Sequence, residues 1–302
     1  MLQFINSLPG AVAQGLIWGI MAIGVYVTYR ILDYADMTVD GSICTGGAVA
    51  AVCITAGMNP YLALVFAILA GMLAGLATGV LHTVFGIPSI LSGILTQLAL
   101  YSINMRIMGL SSNVTISRTQ FDLVLTSEVS TMALINAIGK GLFFVALVIG
   151  ILYWFFGTEL GSAIRATGNN SNMARAQGIN TKKMQVLAIV ISNGIVGLCG
   201  GLLAQYQGNA DINMGRGAIV IGLAAIVIGQ VVFSRVKNFA WRIAGTVFGA
   251  IAYYIVLTVV IWAGLSTHDL KLFSAIIVAI FLSIPHLKEK HMSKKKGGKK
   301  NA

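Results

Sequence analysis

Ala35-Asp36-Met37-Thr38-Val39 returns 175 residues later as Ala210-Asp211-Ile212-Asn213-Met214. Held in that register, Gly47 meets Gly222, Ala50 meets Ala225 and Val52 meets Val227, and upstream Gly19-Ile20 meets Gly194-Ile195. One residue of slippage later, Ala70-Gly71-x-x-x-Gly75 aligns with Ala244-Gly245-x-x-x-Gly249. Single apolar, glycine-rich segments match one another by chance. A series that keeps its order along the chain points instead to a duplicated unit.

The material between these matches is built for lipid. Of the 302 residues, 57% are hydrophobic and only 10% are charged, with a mean hydropathy of +0.86. An ordinary water-facing surface needs about a quarter to a third charged residues, which this chain cannot supply. The 35 glycines fit the same solvent, because membrane helices use small residues to bring backbones together. The formal charge of +11 lies between apolar runs and in a terminal tail, with no basic face interleaved with aromatics, so nucleic acid is not an expected partner. Cys44, Cys53 and Cys199 fall inside apolar segments without CxxC or Cys/His spacing, and the four histidines are scattered, so neither disulfide, metal nor cofactor is expected. The first apolar run lacks the flanks of a cleaved signal peptide.

Apolar stretches near twenty residues predict about nine membrane spans, at 10–30, 41–57, 60–82, 88–108, 136–157, 184–206, 217–234, 242–264 and 270–287. The second and seventh are short and glycine-rich, as broken or re-entrant helices are. If the 158–183 loop is cytoplasmic, fifteen Lys and Arg fall on its side and five on the other. Without the tail lysines the ratio is still eight to five, which places the amino terminus outside and the carboxyl terminus in the cytoplasm. The matched spans then run in opposite directions. The expected architecture is an all-α integral membrane domain over 1–287, an inverted 4+1+4 repeat. Repeat one covers about 10–108, the central span 136–157, the loop 158–183 and repeat two 184–287, and a lysine-rich cytoplasmic tail occupies 288–302. That tail either binds anionic lipid, at about 1 kcal/mol per basic residue, or is a solvated end.

Inverted repeats place a binding path near the pseudo-two-fold axis, beside broken helices whose termini face a ligand. Candidates for the path are therefore Thr38, Asp40 and Asn213, where the short spans begin. On the fourth span Ser89, Ser92 and Thr96 share one helical face, with Gln97, Tyr101 and Asn104 close by. Each has a plainer reading. Thr38, Asp36 or Asp40 caps the second span, and the hydroxyls make hydrogen bonds between helices. The pairs Gly15/Gly19, Gly71/Gly75, Gly197/Gly201 and Gly245/Gly249 read as packing sites within one subunit. Ser266-Thr267-His268-Asp269 holds hydrolase residue types, but neighbours in sequence cannot converge on one atom.

Gly157 to Asn180 is too polar to cross lipid, and Gly168 and Gly178 predict two short helices joined by a sharp turn. Its order of residues, Gly161, Ala163, Arg165, Ala166, Gly168, Asn170, then Ala174, Gly178, Ile179 and Asn180, resembles the cytoplasmic loop of the ribose-type and branched-chain amino acid-type ABC importer permeases. There the loop is the coupling helix that sits on the ATPase subunit, and the resemblance implies that role here. A closer likeness spans nearly the whole chain. Leu8 to Trp18, Arg30 to Gly41 and Leu98 to Gly109 resemble the branch found with tryptophan-type substrate-binding proteins, which implies an aromatic or other apolar amino acid. It further implies a type II importer fold, a homodimer of permease copies, two ABC ATPase subunits and an external substrate-binding lipoprotein, all at the cell membrane. The chain has no G-x-x-x-x-G-K-[ST] loop, so ATP hydrolysis belongs to a partner, and it has no HExxH or GxSxG signature. An ion-coupled secondary transporter or channel with inverted repeats is the alternative, but the span centres offer almost none of the paired charges it needs.

Overall fold

The computed structural model describes residues 2–118, 120–127, 131–233, 236 and 238–262, with isolated positions 272, 275, 276, 278 and 279 beyond them. The expected ninth span, the Ser266–Asp269 run and the lysine-rich tail fall largely or wholly outside these residues.

The described residues are mostly helical. Helix α1 (Leu2–Tyr26) runs into a π-helical turn (Val27–Ile31), followed by α2 (Val39–Thr55), α3 (Pro60–Thr83) and α4 (Ser89–Ile107). A short strand β1 (Asn113–Thr115) precedes α5 (Thr131–Gly157), α6 (Glu159–Asn169) and α7 (Ser171–Ala176). Then come α8 (Thr181–Gln207), β2 (Asn209–Asp211), α9 (Ala218–Val232) and α10 (Phe239–Trp262). Among the described residues five segments are long and apolar enough to cross a membrane: Ser7–Ile31, Pro60–Thr83, Leu134–Gly157, Thr181–Gln207 and Phe239–Trp262. At ~1.5 Å per residue α2 and α9 reach only ~25 and ~22 Å, short of the ~30 Å hydrocarbon thickness. The short, glycine-rich segments anticipated in the sequence are thus short helices in the fold.

Helices α1 and α8 form the buried centre, whereas α3, α4, α5 and α10 turn Leu73, Leu98, Phe143, Trp154 and Trp241 outward. Such an apolar belt is a liability in water and the ordinary surface of a chain solvated by lipid. The centre is held by close backbone approach. A Cβ added at Gly15 would lie 2.6 Å from Ile251 Cα, and one at Gly19 2.8 Å from Val247 Cγ1, so α1 and α10 cross antiparallel with no room between them. Gly71 and Gly75 meet Asn193 and Ile189 in the same antiparallel way, joining α3 to α8. Gly46 and Gly200 bring α2 alongside α8 in parallel, and Gly229 and Gly249 bring α9 against α10. Every one of the paired glycines singled out in the sequence therefore packs within this chain.

These contacts fix the relation between the halves. Since α1 lies antiparallel to α8, to which the sequence match pairs it, the other pairs follow: α2 opposes α9 in direction, and α3 opposes α10. The packing is also exchanged between halves. Helix α1 sits on α10 as α8 sits on α3, and α8 sits on α2 as α1 sits on α9. Even the local turn repeats: Asp36 Oδ1 accepts from Thr38 N at 2.9 Å, and Asp211 Oδ1 accepts from Asn213 N at 2.7 Å.

One feature had no sequence signal. Strands β1 and β2 pair antiparallel, Asn113 opposite Asp211, and Arg118 Nη2 donates to the carbonyls of Tyr206 (3.2 Å) and Gln207 (2.6 Å). A guanidinium there satisfies the last carbonyls of α8 and opposes the negative end of its dipole.

Candidate functional site

The two short helices meet end to end. Helix α1 ends when the π-turn passes its carbonyls to Leu32 and Tyr34 and Asp33 takes a left-handed φ of 57°. The chain then dips inward, so that Met37 packs on Gly93 and Gly41 lies on Gln97 and Leu100, well along α4. Helix α2 starts there, and the amino-terminal end of α9 faces it. Asp40, in the first turn of α2, accepts from Gly217 N (2.9 Å) and Ile219 N (3.0 Å), the free amides at the start of α9. This corrects the capping expected of Asp40. It caps the opposite half's short helix, because the close approach of Gly215 to the Asp40 backbone puts those amides nearer than its own. Nor does the Thr38 side chain cap α2; its hydroxyl lies 2.6 Å from Thr78 Oγ1.

Behind this junction lies a buried polar network. Thr78 donates to Thr96 (2.9 Å), Thr96 to the Ser92 carbonyl, and Ser92 Oγ lies 2.9 Å from Tyr34 Oη. Ser89 is half-buried and contributes its carbonyl. Asn193, at the centre of α8, donates Nδ2 to Asp36 Oδ2 at 2.7 Å and accepts from Ser42 Oγ at 2.6 Å. Ser92 and Thr96 thus join helices inside the subunit. Asn213 lies apart from them, exposed in the 212–217 turn. Tyr34, Thr78 and Asn193 carry as much of the network as the residues named from sequence; the signal for Asn193 was an amide in the middle of an apolar span.

On the other side of α4 a groove of about 270 Å³ opens against the junction, bordered by Asp40, Cys44, Gln97, Tyr101, Asn104 and Arg216. Asn104 is fully buried, and neither its amide oxygen nor its nitrogen makes a well-formed hydrogen bond.

The 158–183 loop is a compact knob of three caps in series. Thr158 accepts from Gly161 N, Asn170 from Met173 N and Asn180 from Lys183 N, starting α6, α7 and α8 in turn. Two short helices were expected. The break between them, however, is the extended Asn170, while Gly168 lies within α6, packed so closely on the end of α1 that an added Cβ would strike the Ile31 carbonyl and lie 2.8 Å from Leu32 Cα. Gly161 rests on Phe155 and Phe156, and Ile164 and Ala174 are buried. Ala163 and Ile179 are half-buried, Arg165, Ala166 and Asn170 are exposed, and Gly178 turns the chain at φ 81°. Beside the knob a polar cleft of about 660 Å³ is bordered by Tyr26, Arg30, Arg165, Gly168 and Arg242.

The removal of Asp40 tests the junction. Asp40→Ala strips two acceptors from α9 and is expected to cost ~1–2 kcal/mol, read as a lower thermal midpoint in detergent with helix content unchanged. Asp40→Asn keeps one acceptor and falls between. An unaltered midpoint in Asp40→Ala would contradict the cap.

The profile of the family described as "Branched-chain amino acid transport system / permease component" matches residues 8–285. The chain belongs to this family. As a branched-chain-type permease component it is a multi-pass membrane protein and a transport subunit rather than an enzyme. It is 39% identical to the tyrosine transport system permease protein of Clostridioides difficile over 93% of this chain and 92% of that one. It is 34% identical to the uncharacterized protein RP368 of Rickettsia prowazekii, over 92% and 97%. The ribose import permease protein RbsC of Escherichia coli K12 is more distant, 24% identical over 94% and 87%. PsaBC from Streptococcus pneumoniae in complex with Fab superposes with a TM-score of 0.40 at 17% identity, covering 85% of this permease and 95% of that chain, too little to bear on the fold.

Proposed function

We propose that this permease is the membrane-crossing subunit of an ATP-driven importer for an aromatic amino acid, tyrosine being the leading candidate. The observation that carries the substrate class is the 39% identity to the tyrosine permease over nearly both whole chains. Two copies of the chain pair, separate ABC ATPases dock on the 158–183 knob, and an external lipoprotein delivers the amino acid. The amino terminus lies outside and the carboxyl terminus in the cytoplasm.

The inverted 4+1+4 arrangement is supported by the opposed directions of the matched helices and by the repeated Asp-x-Thr/Asn turn. In such a design each half presents a short helix to a common centre, and exchanging the packing of the two halves opens the centre to one side and then the other. The knob suits coupling because its caps and its glycine contact with Ile31 tie it to α1, α5 and α8 as one rigid piece, so a push on its exposed face reaches both halves.

The test is reconstitution of the chain in proteoliposomes with its ATPase and lipoprotein partners, followed by uptake of labelled amino acids. Tyrosine uptake that needs ATP hydrolysis is the expected result. Uptake by the permease alone under a proton or sodium gradient would overturn the reading.

A further inference from the structure

Among the described residues, Asn104 is the buried polar side chain that the fold leaves unexplained. Buried amides are nearly always hydrogen-bonded, because desolvation without a partner is costly. Here a fully buried amide makes no well-formed hydrogen bond at either end, its one polar neighbour of note being the Cys44 thiol, and the side chain lies in the wall of the 270 Å³ groove. Gln97 and Tyr101 border the same groove from α4, Tyr101 being 45% exposed on a helix that also turns Ile90, Leu91, Ile94, Leu95, Leu98 and Ile103 outward, with Ser102 and Arg106 toward its end. A groove with this lining has unmet polar groups inside an apolar face.

The charges around it form a pattern. Arg216 and Asp40 both border it, a basic and an acidic side chain, and Asn104 in the same lining offers both a donor and an acceptor. Asp40 spends one lone pair of each oxygen on α9, which leaves the others free. We infer that this groove is a substrate site inside the permease itself, and that it takes the zwitterionic head of an α-amino acid. The substrate carboxylate pairs with Arg216 and Asn104 Nδ2, the ammonium faces Asp40 and Asn104 Oδ1, and Tyr101 with Leu98 forms the wall for an apolar or aromatic side chain. The groove is small for a binding cavity, and it fits one amino acid rather than a peptide or a lipid tail. Its position, where the starts of two opposed short helices meet, is where inverted-repeat transporters hold their cargo. The inference rests on the importer reading for its substrate class, and it adds that selection occurs in the membrane as well as at the receptor.

Two measurements on the reconstituted complex test it. With Gln97→Cys, L-tyrosine is expected to slow modification by a small thiosulfonate about threefold, and tyramine, which lacks the carboxylate, to leave it unchanged. No protection by tyrosine, or equal protection by tyramine, overturns the site. Asn104→Leu and the exposed Arg216→Gln are each expected to lower tyrosine uptake about tenfold at saturating loaded receptor, with the variant still inserted and bound to its ATPases. Uptake within about twofold of the parent in both variants, or a loss traced to separation of the two permease copies, overturns the assignment. If the parent complex shows no ATP-driven uptake the importer reading fails, and the protection experiment still decides the groove.

Discussion

Arg165→Glu is expected to reduce ATP-driven uptake about tenfold or more while the chain still inserts and keeps its thermal midpoint. Arg165 is exposed on α6, at the border of the 660 Å³ cleft. The buried side of the same helix is Gly161, Ile164 and Thr167. Reversing the charge therefore leaves the buried side of the helix intact and changes what its exposed face and the adjoining cleft present. Across a docking surface, placing like charges together costs several kcal/mol, enough for the stated loss. Gly168 behaves differently although it lies only three residues away. Any side chain there collides with the Ile31 carbonyl, so Gly168→Leu is expected to lower the yield of folded protein instead of uncoupling it. Comparing ATP hydrolysis and uptake for the two variants separates docking from folding. Full uptake by Arg165→Glu would remove the knob from the coupling path.

The division between those two neighbours also marks how far the sequence could be read. Span positions were legible because hydropathy averages over many residues: 60–82 became Pro60–Thr83, and 184–206 became Thr181–Gln207. The likeness of two turns was legible for a similar reason, since Ala35–Val39 and Ala210–Met214 share the Ala-Asp pair and the same Asp-to-backbone bond. What failed to show were partners chosen by tertiary approach. Asp40 could cap whichever amides lay nearest, and only the contact of Gly215 with its backbone selects α9. Gly168 reads as a turn residue by composition, yet its missing side chain serves a crossing with the end of α1. The β1–β2 pair joins three-residue segments about a hundred positions apart, and nothing in three residues announces that. Ser92 and Thr96 share a face as periodicity requires, but periodicity does not say whether that face looks inward or toward a path. In the fold it looks at Tyr34 and Thr78, and the groove lies on the side of Gln97 and Asn104.

Asn193→Leu is expected to be the most destabilising single change among the buried polar residues described, at about 3 kcal/mol. The amide ties α8 to the Asp36 carboxylate and to Ser42 at once, and all three groups are buried. Leucine has a similar volume, so the loss is electrostatic rather than a cavity. It leaves the buried Asp36 carboxyl with one of its donors gone, and the Ser42 hydroxyl without its acceptor. The stability lost corresponds to a midpoint lower by about 6 °C or more, measured on the purified chain in detergent. The origin of the cost can be checked by adding Asp36→Asn. If the uncompensated charge is what hurts, removing it should return part of the lost stability, and the double variant should unfold above Asn193→Leu alone. If the double variant is instead worse by the sum of the two single effects, Asn193 acts through packing. Because Asn193 lies on α8 and Asp36 on the segment entering α2, this bond is also one of the links between the two opposed halves. A variant that survives without it should exchange its backbone amides faster in α2 and α8 than in α5, which reaches the core through α1.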